Sequence, residues 1–395
     1  MSPLRVVIIG AGLAGPCLAQ GLLRAGAEVS LYERDAAVAS RGQGYRIFIA
    51  PQGTEGLRVC LPPQLYGLTV ATSGKPGAGV TVLDRQLHEL NRVTFPAPAI
   101  DDGSAGIHVD RLTLRQVLLS GLDGRLHFGA SFLRFELGEG GGVRVHFADG
   151  EVAEADLLVA ADGPGSSVRA QLLPEARVVE TGTLSIYGKT RLTTEVRSLT
   201  PSTALDGFST VVGPDGLFMP LAAMEFRGDI QAEAATCKRG IRFADTRDYV
   251  MWVVCGPAEA LGASEQELAR LEGSDLIGLA VSAVSDWHPN LPEIVRRADP
   301  STVTPTSMRT AEPVQHWQTG PVTLVGDAIH CMIPAGIGAA VALQDAGLLS
   351  QRLADVIRGE KPLLQAVTEY ETEMLRYGFE AVAASQQVAQ RHAPS

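Results

Sequence analysis

Lysine is scarce in this chain of 395 residues. Of its 33 basic residues only Lys75, Lys189, Lys238 and Lys361 are lysines, and arginine supplies the other 29. With abundant alanine and glycine, this bias points to a GC-rich genome and a bacterial source. Basic charge is itself outnumbered by 44 acidic residues, for a net charge of −11. That argues against a nucleic-acid binder, which needs a basic face, and against a strongly acidic substrate unless a local arginine overrides it. The five cysteines (Cys17, Cys60, Cys237, Cys255 and Cys331) are odd in number and scattered. They exclude a disulfide framework and fit a reducing, cytoplasmic location. No run approaches the ~20 apolar residues of a membrane span, and no partner membrane is expected. The N-terminus lacks a basic region followed by an apolar stretch, so no signal peptide is expected. The eight histidines include no pair at metal-ligand spacing, and no metal is expected.

What is present fits a globular chain of two or three domains at ~150 residues each. The first 35 residues read as strand, glycine turn, helix and strand: Val6 to Ile9, Leu13 to Arg24, Glu28 to Tyr32. Ile47 to Ile49 alternates, Thr113 to Leu122 has helical spacing and Arg125 to Phe128 is a short strand. Phe132 to Leu137 and Val143 to Phe147 form a hairpin about a glycine-rich turn, and Asp156 to Ala161 is a second buried strand. Between about Thr183 and Pro257 the style changes to longer β-branched and aromatic runs: Leu184 to Leu192, Phe208 to Val212, Leu217 to Phe226 and Tyr249 to Cys255. This is a mostly antiparallel sheet in a separate layer. Helices follow at Glu265 to Leu271 and Asp275 to Trp287, then the strand Val322 to Val325 and helices at about Gly338 to Ile357 and Leu363 to Gln390. In the last helix Leu364, Val367, Tyr370, Met374, Tyr377 and Val382 lie on or near one stripe, which reads as packing on the core.

Three motifs carry chemistry. Gly10-Ala-Gly12-Leu-Ala-Gly15 follows a strand and opens a helix. Gly10 permits the tight turn, Gly12 lets backbone approach a pyrophosphate, and Gly15 allows close helix–strand packing. Glu33 ends the second strand 23 positions after Gly10, where a carboxylate accepts hydrogen bonds from ribose hydroxyls and disfavours a 2′-phosphate. FAD and NAD both remain open on this motif alone. The other two are Asp162-Gly163 at the end of a buried strand, and Gly326-Asp327 followed by Pro334-Ala-Gly336-Ile-Gly338. An NAD-type dehydrogenase has no need of either. Asp327 can accept from ribityl hydroxyls, and Gly336 and Gly338 can bring backbone N–H groups against a flavin's pyrimidine edge at a helix start.

In this order and spacing the motifs resemble the FAD-dependent aromatic hydroxylases of the para-hydroxybenzoate hydroxylase type, single-component flavoprotein monooxygenases. Val109-Asp-Arg111-Leu-Thr-Leu-Arg115 also looks like the family's helix whose second arginine reaches FAD. The resemblance spans about residues 4 to 355. It implies an α/β fold: a Rossmann-like FAD-binding domain with an inserted, mostly antiparallel β-sheet substrate domain and C-terminal helices. The expected division is 1–72, 101–182 and 302–395 for the FAD-binding domain and 73–100 and 183–301 for the substrate domain. The chain would leave no room for the thioredoxin-like domain of larger relatives.

By the same resemblance Gly10, Gly12, Leu13 and Ala14 would lie along the pyrophosphate, with Glu33 on the ribose and Arg34 beside the adenine. Arg41 and Arg115 would sit near the pyrophosphate or the ring. Asp162 and Gly163 would join FAD and nicotinamide contacts, Asp327 the ribityl region, and Gly336, Ile337, Gly338 and Ala339 the isoalloxazine. Many relatives carry Asn where this chain has Ala340, so one side-chain contact to the flavin is replaced or lost.

The implied reaction is reduction of FAD by NADH or NADPH, formation of a flavin C4a-hydroperoxide with dioxygen, and insertion of one oxygen atom into an apolar aromatic or polyketide-like small molecule by hydroxylation or epoxidation. The cofactor carries this chemistry, so no catalytic residue is assigned. An FAD oxidase or dehydrogenase, Baeyer–Villiger-type oxygenation on the same fold, and a catalytically silent flavin-binding protein are the alternatives. The substrate pool is Tyr45, Arg46, Tyr187, Arg191, Phe208, Phe218, Met219, Met224, Phe226, Trp252 and Pro334, with core packing the competing role for each. His330 reads as a packed, hydrogen-bonded residue rather than a base. Monomer and homodimer are both compatible.

Overall fold

The computed structural model describes residues 2–38, 40, 44–96, 102–237 and 239–392, with the side chains of 389–392 outside that description. Five strands form a parallel sheet in the order Val322–Leu324, Leu157–Ala160, Arg5–Ile9, Glu28–Glu33 and Leu126–Phe128. Its strands Arg5–Ile9 and Leu157–Ala160 are apolar almost throughout because both faces are covered, as the continuous runs predict. The helix Ala14–Ala25 covers one face and itself packs on the long helix Gly338–Ile357. The two approach closely because Gly21 lies beneath Ser350: a Cβ at Gly21 would stand 2.3 Å from its Oγ.

A second sheet has seven strands, in the order Thr304–Ala311, Val178–Arg191, Tyr249–Gly256, Phe218–Met224, Phe208–Val212, Gly79–Asp84 and Glu89–Thr94. Every pairing is antiparallel except that of Phe208–Val212 with Gly79–Asp84. This is the expected antiparallel layer. Its outer face packs Val250, Trp252, Val254, Met219 and Leu221 against the helices Gly273–Ala283 and Asn290–Arg296 in a core of its own. Gly188 lies opposite Trp252 on the neighbouring strand, and a Cβ there would come within 2.2 Å of the indole. Gly188→Ala is therefore expected to destabilise by about 2–3 kcal/mol through overpacking, measurable as a lowered urea midpoint. An unchanged midpoint would mean that the indole has room to move.

The hairpin 132–137/143–147 forms as read, with Val152–Ala155 as its third strand. Boundaries moved elsewhere. The helix expected from Thr113 starts at Arg111, because Asp110 caps it by accepting from the Thr113 N–H at 2.9 Å, and it ends at Leu119. The strand expected from Leu184 begins at Val178, with a register shift between Glu180 and Leu184 that breaks the alternation. The helix expected through Leu271 stops at Leu268, and the one expected over 275–287 covers Gly273–Ala283. In the final helix, Leu363–His392, Val367, Tyr370 and Met374 are fully buried as read, while Leu364 is 48% exposed and belongs to the solvent face. No helix among the described residues is long and apolar enough to cross a membrane.

Candidate functional site

A cavity of about 1140 Å³ separates the carboxyl ends of the parallel strands from the inner face of the seven-stranded sheet. Ordinary small-molecule sites occupy ~300–1,000 Å³, so this one has room for more than a compact ligand. All three motifs open onto it: Gly10, Gly12, Leu13 and Ala14; Asp162 and Gly163; Asp327 with Gly336, Ile337, Gly338 and Ala339.

The first motif is shaped by backbone crowding. Gly10 has φ +105°, and a Cβ on it would stand 2.3 Å from the Ala161 carbonyl oxygen. Gly15 does not reach the cavity; it packs with its would-be Cβ 2.1 Å from the Gly10 carbonyl oxygen, the helix–strand role read for it. Two long helices, Ala14–Ala25 and Gly338–Ile357, begin at the cavity wall, and neither has a side-chain N-cap. Their first N–H groups need acceptors, and the positive dipole ends favour an anion or an electron-rich ring edge.

Glu33 closes one end. Its Oε2 accepts from the Ala11 N–H at 2.9 Å and from Arg115 Nη2 at 3.3 Å, and its Oε1 accepts from the Asp35 N–H at 3.0 Å. Arg115 also donates to the Ala11 and Val38 carbonyls at 2.6 and 2.8 Å. This almost wholly buried pair locks the glycine turn to the strand end while both residues still line the cavity. Arg34 lines the same end. Arg41 lies outside the described residues.

Two carboxyls line the cavity from the other motifs, Asp162 half-buried and Asp327 open to the cavity space. Asp162 Oδ2 accepts from the Ser167 N–H at 3.0 Å, while buried Oδ1 has no partner among the described residues. Burial raises the pKa of Asp162. A buried acceptor of this kind calls for a donor from a bound molecule. Burial likewise raises Asp327, against the opposing pull of His330 and Arg111. Behind Asp327, Asp345 accepts from the Gly326 N–H at 2.6 Å, Tyr377 OH at 2.6 Å and His330 Nε2 at 2.7 Å. His330 is thus the packed residue read from sequence, and it braces the Gly326-Asp327 turn from beneath.

On the opposite wall the sheet's alternation selects the lining. Phe218 and Pro220 face the cavity, as do Met251, Val253 and Cys255, while the residues that alternate with them (Met219 and Leu221, and Val250, Trp252 and Val254) point into the outer core. Tyr45, Arg46, Tyr187, Phe208 and Pro334 line it too. Trp252 does not. It is fully buried in the outer core and donates to Thr190 Oγ1 at 3.1 Å. Met224 is also away from the cavity, with its sulfur against Gly74, and Met219 and Phe226 are absent from the lining. Sequence reasoning missed Phe48, His108, Arg111, Arg227, Met308 and Met332. The alternation of Arg46 and Phe48 was the available signal for Phe48, and none of the three motifs marked the others.

The parallel sheet, the two uncapped helix starts and the buried acceptors define a dinucleotide-binding α/β protein whose groups fit a flavin nucleotide. A family model described as FAD binding domain matches residues 286–385. A dual O-methyltransferase/FAD-dependent monooxygenase of Cercospora beticola is 29% identical over 93% of this chain, but the match covers 44% of that protein. This chain thus spans less than half the length of the first curated relatives it matches. The aurachin C monooxygenase/isomerase of Stigmatella aurantiaca is 27% identical over 98% of this chain and 89% of that one. A solved structure from Photorhabdus luminescens, assigned as an FAD-containing monooxygenase, superposes with a TM-score of 0.82 at 29% identity, covering 98% of both chains. The family model and these relatives support an FAD-dependent aromatic hydroxylase family for this chain.

Proposed function

We propose that this chain binds FAD, accepts electrons from NADH or NADPH, and inserts one atom of dioxygen into an apolar aromatic or polyketide-like molecule. The observation that carries the reading is the convergence of all three motifs on one cavity roofed by an aromatic-lined sheet. In this reading residues 1–72, 101–182 and 302–395 form the cofactor unit, and 73–100 with 183–301 the substrate unit. The turn Gly10 to Ala14 and the helix start behind it hold the pyrophosphate. Glu33, Arg34 and Arg115 hold the adenosine end, Asp162 and Asp327 take hydroxyl donors, and the backbone of 336–339 meets the ring edge. The bound flavin supplies the activation of dioxygen once reduced. The protein's part is to exclude water and hold the substrate against the ring, which the apolar side chains Phe208, Phe218, Met251 and Val253 can do.

Purified protein is expected to be yellow, to consume NAD(P)H faster when substrate is added, and to yield a product heavier by one oxygen. Hydrogen peroxide equal to the NAD(P)H consumed, with no oxygenated product, would instead mean an oxidase. Asp327→Ala removes a carboxyl from the cavity wall and is expected to lower FAD retention roughly ten- to a hundred-fold, the size of a lost charge-assisted hydrogen bond. The flavin-to-protein absorbance ratio reads this, and full retention would remove Asp327 from the site.

A further inference from the structure

The strand Arg46–Ile49 pairs antiparallel with Ile107–Asp110, setting Arg46 opposite Asp110 and Phe48 opposite His108. Arg46, Phe48 and His108 all line the cavity. The Arg46 side chain belongs to a residue only 7% exposed, and among the described residues no carboxylate pairs with it.

Asp110, its register partner on the neighbouring strand, is already committed. Its Oδ2 accepts from Lys189 Nζ and from Tyr249 OH, both at 2.8 Å, and its Oδ1 accepts from the Thr113 N–H at 2.9 Å. Lys189 therefore balances Asp110, and Arg46 is left as an added positive charge. Burial pulls Arg46 down only to about 10, so it stays protonated at neutral pH. His108 is pulled down to about 3, first by burial and then by the charges of Arg46 and Arg227, so its ring is neutral. Its buried Nδ1 has no hydrogen-bond partner among the described residues. A buried charge without a counterion and a buried ring nitrogen without a partner are both costly, and one ligand oxyanion relieves both.

The surroundings fit a flat body for that oxyanion. The His108 ring lies 5.0 Å from Phe48, and Tyr45 stacks on Tyr187 at 5.2 Å. We propose that Arg46 and His108 form an oxyanion subsite, so that the substrate is an aromatic or enolic molecule bound through a negatively charged oxygen on its ring. The proposal rests on the reading of this cavity as the substrate chamber. Arg46 is the kind of local arginine that the expectation drawn from the net charge of −11 left open, because the local guanidinium, and not the whole chain, sets the field inside the cavity. A phenolate or enolate is also the electron-rich form that an electrophilic oxygen attacks. On binding, the acidic proton of a phenol or enol leaves to solvent, and no other bond changes.

The test uses the FAD-loaded protein and three probes of matched size: 4-nitrophenol, 4-nitrobenzoate and nitrobenzene. At a pH where free 4-nitrophenol is mostly protonated, its phenolate absorption band is expected to appear on binding. At least one anion is expected to bind roughly ten-fold or more tighter than nitrobenzene. The stronger of the two distinguishes a ring hydroxyl from a carboxylate as the oxyanion's source. Arg46→Met is expected to abolish the preference while nitrobenzene affinity and FAD content stay unchanged, and Arg46→Lys to retain part of it. His108→Phe should weaken it by a smaller factor. Equal binding of all three probes, an undiminished preference in Arg46→Met, or no anion binding at roughly millimolar concentration would each overturn the subsite. NAD(P)H oxidation and FAD content, measured on the same samples, report separately on the monooxygenase reading.

Discussion

Gly10→Ala is expected to destabilise the protein by about 3–5 kcal/mol and to empty it of flavin. Two effects add. The residue sits at φ +105°, where an L side chain is strained by ~1–3 kcal/mol. The new Cβ would also stand 2.3 Å from the Ala161 carbonyl oxygen and 2.8 Å from the Asp162 Cα, both backbone atoms that cannot swing aside. Relief would push apart the strands Arg5–Ile9 and Leu157–Ala160, which pair in register from Val6–Leu157 to Ile9–Ala160. Because Asp162 follows directly, the shift would move two of the three motifs at once. Urea denaturation and the flavin absorbance of the same preparation check both halves. A variant with a wild-type midpoint and full flavin content would show that the turn is not the cofactor cradle.

Asp345→Asn is expected to have the other large effect, and to invert the pH dependence of stability. Asp345 is wholly buried with three partners, and breaking a buried ionic network costs about 3–5 kcal/mol. In the intact protein burial pulls His330 down, but the charge of Asp345 and its hydrogen bond outweigh this, so the imidazole is raised above its ordinary value. That stabilisation is complete below the unfolded value of ~6.5 and is lost as pH rises through the raised folded value. With asparagine in place, burial remains and the main raising influence is gone. His330 then resists protonation, and the variant loses stability as pH falls through ~6.5. Thermal melts between about pH 5.5 and 8 should give opposite slopes for the two proteins, whereas parallel slopes would mean that His330 is neutral in both.

The legible parts of this molecule were those where one local rule decides. The strand Arg5–Ile9 and the helix after it follow from an apolar run and a glycine turn, and the hairpin 132–147 from alternation about a glycine loop. The helices Pro51–Cys60 and Pro63–Ala71 escaped notice because their signals are tertiary. Gly53 and Gly56 look like helix breakers, yet each lets the helix Gly338–Ile357 come close: a Cβ at Gly56 would stand 2.1 Å from the Leu343 carbonyl oxygen. The strand Glu89–Thr94 was missed because it is exposed along its whole length at the sheet edge and carries no apolar face. In the cavity, the lining from Gly10 to Ala14, Asp162, Asp327 and 336–339 was legible because motifs mark those positions. The substrate side was only half readable, because the strand Tyr249–Gly256 is buried on both faces and its pattern cannot say which face meets the cavity. Trp252 was chosen for its ring, while its neighbours Met251 and Val253 line the wall.

Quenching of FAD fluorescence on titration with the purified, flavin-stripped chain tests the central claim most directly. Saturation is expected at one FAD per chain with a dissociation constant of about micromolar or below, weakened by Asp327→Ala and lost in Gly10→Ala. No saturable quenching at roughly 100 μM protein would contradict it.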